Sequence, residues 1–186
     1  MNGSSAMHYP DPISIEEYLD GEKVSEVRHE YVAGQVYAMA GASKNHERVS
    51  LNLAADLLRH TRGGPCEVYK SDMKVFVNIL NNEAFYYPDI VVGCDPNDNA
   101  THYLNNPKLI IEVLSADEKR DRIEKLLIYQ AIESLEEYVI ISQNPKRPEV
   151  SIFRRAEGWT PGHKNTEGEF TLTTINYTGK VSDLYL

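Results

Sequence analysis

The stretch Pro107-Lys108-Leu109-Ile110-Ile111-Glu112-Val113-Leu114 constrains the fold more than any other part of the chain. A near-continuous apolar run of this kind reads as a strand covered on both faces. Glu137 to Gln143 (EYVIISQ) reads the same way. Between them, Asp117 to Ser134 has the pattern of a second long helix. Strand, helix and strand from Pro107 to Gln143 are then the parts of a right-handed parallel crossover.

The flanking segments fit one α/β architecture. Ser14 is placed to cap a short helix carrying Glu16, Glu17 and Tyr18, with Gly21 as its stop. His29 to Gly41 alternates around Gly34, the mark of two short strands and a tight turn. Ser43 or Asn45 caps a long helix whose apolar row is Val49, Leu53 and Leu57, with Ala54 and Leu58 beside it and Gly63-Gly64-Pro65 at its end. From Cys66 the period changes to two. CEVYK, MKVFVNI and AFYYPDIVVG each read as a strand, and Asp95 to Asn106 as a loop. PEVSIFRR and EFTLTTI read as an antiparallel continuation, with Gly158-Trp159 and Gly162 in the turns. The expected fold is a central mixed sheet flanked by two long helices, with an N-terminal helix and hairpin and a C-terminal antiparallel extension. Residues 1–12 are expected to be a flexible lead and residues 13–186 one domain, as the length of 186 residues favours.

Two carboxylates sit where carboxylates are expensive. Alternation puts Glu112 on the same face as Ile110 and Leu114. An acid among aliphatics on a central strand must be paired, protonated or bound to a cation. Asp89 poses the same problem in Tyr86-Tyr87-Pro88-Asp89-Ile90-Val91-Val92, just after a proline that suits the start of a strand. Two acids on neighbouring strands can share one pocket, and a divalent cation between them relieves their repulsion. Mg²⁺ suits such a place, because it takes one or two carboxylates together with waters and phosphate oxygens. The competing reading makes each acid a salt-bridged residue near a strand end.

On the following helix, Asp121, Lys125 and Tyr129 share one row at a spacing of four. One reading is an exposed Asp–Lys pair worth ~0.3–0.5 kcal/mol. The other carries the Lys125 ammonium back over the end of the Glu112 strand, where it can orient a water or neutralise charge developing on a phosphate.

Pro88-Asp89, Glu112-Val113-Leu114 and Lys125 together resemble the motif of the PD-(D/E)XK nuclease superfamily, and more narrowly the Uma-type restriction endonuclease family. The resemblance extends to Glu30-Tyr31-Val32-Ala33-Gly34, His46, Ser71-Asp72-Met73-Lys74-Val75, Asn106-Pro107, Asp121 with Lys125 and Tyr129, and Glu137-Tyr138. It covers about residues 13 to 186, and its specificity lies in the order and spacing of motifs that are weak singly. Leu114 stands where the superfamily pattern has lysine, and Lys125 from the next helix is the natural replacement.

The resemblance implies a restriction-endonuclease-like core and Mg²⁺-dependent hydrolysis of phosphodiesters in DNA, with Mn²⁺ able to substitute. Asp89, Glu112 and Lys125 would be catalytic. Asp89, Glu112, the backbone carbonyl of Val113 and Glu30 would hold the metal. Asp121, Tyr129 and His46 would stand behind them, Asp121 and Tyr129 as supports of Lys125. His46 can be read as a partner of the site, a DNA contact or a satisfied structural histidine. A homodimer would suit cleavage of both strands. The alternative is a catalytically silent nuclease fold that binds nucleic acid or a protein partner.

Charge bears on the partner. The chain carries 28 acids against 19 bases, a net charge of −9, which counts against binding nucleic acid by bulk charge. Seven acids and two bases fall in residues 11–30, and five bases and two acids in residues 144–164; both read as solvated surface. Two cysteines, Cys66 and Cys94, cannot build a disulfide framework or, unaided, a structural zinc site. No apolar run spans a bilayer and the first residues lack the features of a secretory signal, so the expectation is a reduced, cytoplasmic protein without membrane contact.

Overall fold

In a computed structural model, residues 6–7, 11–79, 82–114, 124–160 and 163–186 are described. The first part of the chain forms β1 (Ala6–Met7), α1 (Ile15–Glu22), β2 (His29–Val32), β3 (Gln35–Ala38) and α2 (Lys44–Thr61). There follow β4 (Glu67–Lys70), β5 (Lys74–Ile79), β6 (Asn82–Tyr86), β7 (Ile90–Gly93), β8 (Tyr103–Leu104) and β9 (Pro107–Val113). The last part is α3 (Leu126–Tyr129), β10 (Glu137–Ile141), β11 (Val150–Arg154), β12 (His163–Asn165), β13 (Glu169–Leu172) and β14 (Tyr177–Lys180). The strands fall into two mixed six-stranded sheets, β1-β3-β2-β6-β5-β8 and β12-β11-β10-β9-β7-β4, and a hairpin β13-β14.

Side-chain alternation stacks these elements in layers. On β9, Leu109, Ile111 and Val113 face a core shared with Val49, Leu53, Ala54 and Leu57 of α2 and with Phe170, Leu172 and Leu184. Ile110 and Leu114 face the other way, against Val75, Val77, Ala84 and Tyr86 of the first sheet. The outer face of the first sheet packs Tyr31, Val36 and Phe85 on Tyr18 of α1. The second sheet is thus covered on both sides, which is why β9 and β10 read as apolar throughout. These two strands are parallel, with Glu112 beside Ile140, as the crossover pattern requires.

Several expectations are corrected. AFYYPDIVVG is two strands in different sheets: β6 pairs with β5 and β2, and β7 with β4 and β9. Pro88 has no N–H for a ladder, and the chain changes sheets around it. The helix before β10 ends at Tyr129 instead of Ser134. There the Arg155 guanidinium donates to the carbonyls of Gln130, Ile132 and Leu135, so these groups are satisfied without further helical turns. Asp117 to Arg122, the expected start of that helix, lie outside the described residues. Gly21 does not stop α1, which runs through it to Glu22 behind a Ser14–Glu17 capping box. Leu58 is 52% exposed and takes no part in the α2 row. Within the N-terminal lead, Ala6–Met7 pair with β3.

The basic segment near the C-terminus is not all solvated surface. Arg155 is used as described and stacks on Trp159. Arg154 donates to Glu137 at 2.7 Å, and Glu137 also accepts from the Thr173 and Thr174 backbone and from the Thr173 hydroxyl. Burial by itself would raise the Glu137 pKa; the hydrogen bonds from Arg154, Thr174 and Thr173 outweigh it and hold the pKa below the ordinary 4.5. A depressed carboxylate contributes stability above the unfolded-state value, and that contribution is lost as pH falls through the folded-state value. Glu137→Gln is therefore expected to destabilise by about 3 kcal/mol at neutral pH. The gap to the parent in chemical denaturation should narrow below about pH 4. A pH-independent gap would mean that the loss is one of packing alone.

The reduced state expected for the cysteines is replaced by a Cys66–Cys94 disulfide. The antiparallel register of β4 and β7, with Glu67 opposite Gly93, continues by one residue to set the two cysteines face to face. Spacing in the sequence did not contain that pairing. Among the described residues, no helix is long and apolar enough to cross a membrane.

Candidate active site

The inner face of each sheet contributes one buried carboxylate. On β2, Tyr31 is buried against α1, so its neighbour Glu30 faces the second sheet and is 6% exposed. On β9, Glu112 shares the inner face with Ile110 and Leu114 and is 4% exposed. Lys125 lies between them: its ammonium is 2.8 Å from Glu112 Oε1 and 3.9 Å from Glu30 Oε1. The Tyr129 hydroxyl donates to the same Glu112 oxygen at 3.0 Å. Tyr129 therefore supports Glu112, where the sequence pattern had it supporting Lys125. Burial and the Glu112 charge push the Tyr129 pKa well above its ordinary value, so the phenol stays a donor.

Asp89 enters from the junction between sheets. β7 and β9 pair with Ile90 opposite Ile111, and one further step places Asp89 opposite Glu112. Its Oδ2 accepts the Val113 N–H at 2.7 Å and lies 3.0 Å from His46 Nε2. His46 is brought there by the first turn of α2. Ser43 accepts the His46 N–H as the helix cap and also bonds Gln143, which in turn donates to the Leu114 carbonyl beyond β9. Burial lowers the His46 pKa; the hydrogen bond that its ring donates to Asp89 and the charges of Asp89, Glu47 and Glu112 outweigh it and raise the value overall. Among the described residues, the buried His46 Nδ1 has no hydrogen-bond partner.

Six of the side chains singled out in the sequence thus form two runs of contacts, Asp89–His46 and Glu30–Lys125–Glu112–Tyr129, which meet where Asp89 and Glu112 stand opposite on neighbouring strands. Val113 contributes its N–H to Asp89. Asp121 lies outside the described residues. Asp72, read as a turn residue, is exposed and pairs with Arg28. Of the three tyrosines considered for a groove, Tyr86 is buried edge-on to Tyr129. Tyr87 and Tyr103 line a cleft on the far side of the first sheet. Sequence reading missed that cleft and its buried Lys74, because one lysine in an alternating strand carries no signal about what its far end meets.

The donors available to a metal are hard oxygens, the kind Mg²⁺ prefers. Among the described residues, no three His, Cys, Asp or Glu side chains are grouped to hold a metal ion. A pair of carboxylates is nonetheless a full protein share for Mg²⁺, which commonly takes its other ligands from water and phosphate. The donor set therefore fits the ion in chemistry and in number.

Comparison with known proteins gives a consistent picture. The model of the family Uma2, described as "Putative restriction endonuclease", matches residues 15–174. The "Uncharacterized protein slr1290" of Synechocystis sp. (strain ATCC 27184 / PCC 6803 / Kazusa) is 36% identical over 167 residues, covering 89% of this chain and 80% of that protein. A second Synechocystis protein, "Uncharacterized protein sll1609", is 33% identical over 135 residues, covering 70% and 75%. The crystal structure of "a putative nuclease belonging to DUF820" from Anabaena variabilis ATCC 29413 superposes with a TM-score of 0.66 at 16% identity, over 94% of this chain and 98% of the other. That likeness establishes a shared restriction-endonuclease-like fold.

Proposed function

Because the chain belongs to the Uma2 family of restriction-endonuclease-like proteins, we propose that it is a Mg²⁺-dependent endonuclease hydrolysing phosphodiester bonds in DNA. The observation that carries this reading is the Lys125 ammonium, set 2.8 Å from Glu112 and 3.9 Å from Glu30, with Asp89 one strand away. A lone structural ion pair needs one acid; here two acids from two sheets meet one base, and a third, Asp89, stands opposite Glu112 on the neighbouring strand.

In this reading Asp89 and Glu112 hold the metal, with the Val113 carbonyl and Glu30 as further donors. Bound there, the ion would lower the pKa of a water and offset charge on the scissile phosphate. The chain's own groups do the rest. Val113 N–H and His46 fix the Asp89 carboxylate, and Tyr129 fixes Glu112, so neither acid must reorganise during reaction. Lys125 orients the attacking water and meets negative charge as it develops on the phosphate. A dication together with Lys125 would offset the charge of the pooled carboxylates, which eases the approach of a polyanionic substrate to an acidic chain.

A homodimer would let two such sites cut both strands, residues 13–186 would act as one unit, and the cytoplasm is the compartment in which DNA is met. The test is an assay on supercoiled plasmid, single-stranded DNA and RNA in Mg²⁺, Mn²⁺ or EDTA. Nicking of DNA with either metal and none in EDTA is the expected result. Intact plasmid in both metals, together with retained binding, would favour the silent nucleic-acid-binding fold.

A further inference from the structure

The outer face of the first sheet holds a cleft of about 600 Å³ against the end of α1, bordered by Glu22, Arg28, Asp72, Lys74, Tyr87 and Tyr103. At its floor is an ammonium that nothing so far explains. Val75 and Val77 of β5 turn into the core between the sheets, so Lys74 turns outward, yet it is only 6% exposed. Its hydrogen bond among the described residues is donated to Tyr87 Oη at 3.2 Å, and among those residues no carboxylate pairs with it within 4.0 Å.

The neighbouring acids are otherwise engaged. Glu22 accepts from the Tyr87 hydroxyl at 3.0 Å, from the His29 N–H at 2.8 Å and lies 3.1 Å from His29 Nδ1. Asp72 pairs with Arg28 at 2.9 Å. Burial holds the Lys74 pKa below the ordinary lysine value, against the charges of Glu22 and Asp72. An ammonium has three donors, and one is used here. A buried cation without a counter-ion is costly unless an anion reaches it or it gives up its proton.

Two hydrogen bonds link the cleft rim to the Asp89 backbone: Arg28 Nη1 donates to the Ser71 carbonyl at 3.0 Å, and the Ser71 N–H donates to the Asp89 carbonyl at 3.1 Å. Tyr87, whose hydroxyl anchors Lys74, is followed by Pro88 and Asp89, and two residues span at most about 7 Å. For one bound strand to use both the cleft and the carboxylates it must pass round this end of the first sheet, since Lys74 turns outward and Glu112 inward.

We propose that this cleft is an anion subsite in which Lys74, with Arg28 at the rim, takes a phosphate flanking the scissile one on a bound nucleic-acid strand. The nucleic-acid part rests on the nuclease reading; the anion site stands on the buried ammonium alone.

The test uses the full chain in EDTA, where no cleavage is expected. Binding of a 20-base-pair DNA duplex is followed by fluorescence anisotropy across a salt series. Lys74→Met should weaken binding about tenfold and reduce the slope of log Kd against log salt by about one. In parallel, inorganic phosphate is titrated into unmodified protein, and the Lys74 Nζ resonance is followed by NMR against a chloride control of equal ionic strength. A phosphate-specific shift is expected, and it keeps the proposal testable should Lys74→Met fold poorly. No shift with phosphate beyond that with chloride overturns the anion site. An unchanged salt slope in folded Lys74→Met overturns its use by DNA. If the parent nicks plasmid but shows neither effect, the subsite fails and the nuclease reading stands. If phosphate shifts Lys74 and no nucleic acid is cut or bound, the anion site stands and the nuclease reading fails.

Discussion

Glu112→Gln is expected to leave a folded protein that nicks supercoiled plasmid roughly 10³-fold more slowly in Mg²⁺, the several kcal/mol that a bound dication supplies to a phosphoryl transition state. The substitution keeps the shape and an acceptor for the Tyr129 hydroxyl, which now donates to Glu112 Oε1. It removes the charge that would hold a cation. Asp89→Asn should behave in the same way, since an amide oxygen can still accept the Val113 N–H now bonded to Asp89 Oδ2. Circular dichroism and a melting curve establish that each variant folds, and a time course of nicking gives the rate. Either variant cutting at the parental rate would remove the carboxylates from the site. A collapse of the fold in both would make them structural acids instead.

Lys125→Ala should separate two roles that the geometry superimposes. The ammonium lies within ion-pair distance of Glu112 and Glu30, so it is a counter-ion to both, and in the proposed reaction it would also be the group that meets the substrate. If it orients the attacking water, its loss should slow cleavage by about 10²–10⁴-fold. Mg²⁺ affinity should survive, because removing a cation beside two acids leaves more negative potential for a dication. The measurement is a Mg²⁺ titration of thermal stability beside the cleavage assay. A variant that no longer gains stability from Mg²⁺ would show that the lysine organises the carboxylates and has no separate part in the chemistry.

Much of this site was legible residue by residue. Glu112 stood out because alternation on an apolar strand forces it inward, and it is buried as that argument requires. The spacing of Asp121, Lys125 and Tyr129 marked one helical row. Spacing pairs Tyr129 with Lys125, whereas its hydroxyl donates to Glu112, since helical spacing reports who shares a face and not what lies across from it. Pro88 marks a strand boundary, but the two strands on either side of it read as one, because both halves alternate equally well. Lys74 and Glu137 were illegible as anomalies: each sits in a strand that tolerates a polar residue on paper, and only the packing above them decides that they are buried.

The sequence by itself determined most of the strands, the helices α1 and α2, the parallel β9–β10 pair and the candidate acids and base, because local alternation, capping and proline chemistry act over a few residues. Tertiary structure alone decided that the strands divide between two sheets, that Glu30 and Glu112 look at each other from opposite layers with Lys125 between them, and that Cys66 meets Cys94. Such contacts join residues far apart in the chain. Their distances follow from sheet order and register, and these are set by how the whole core packs.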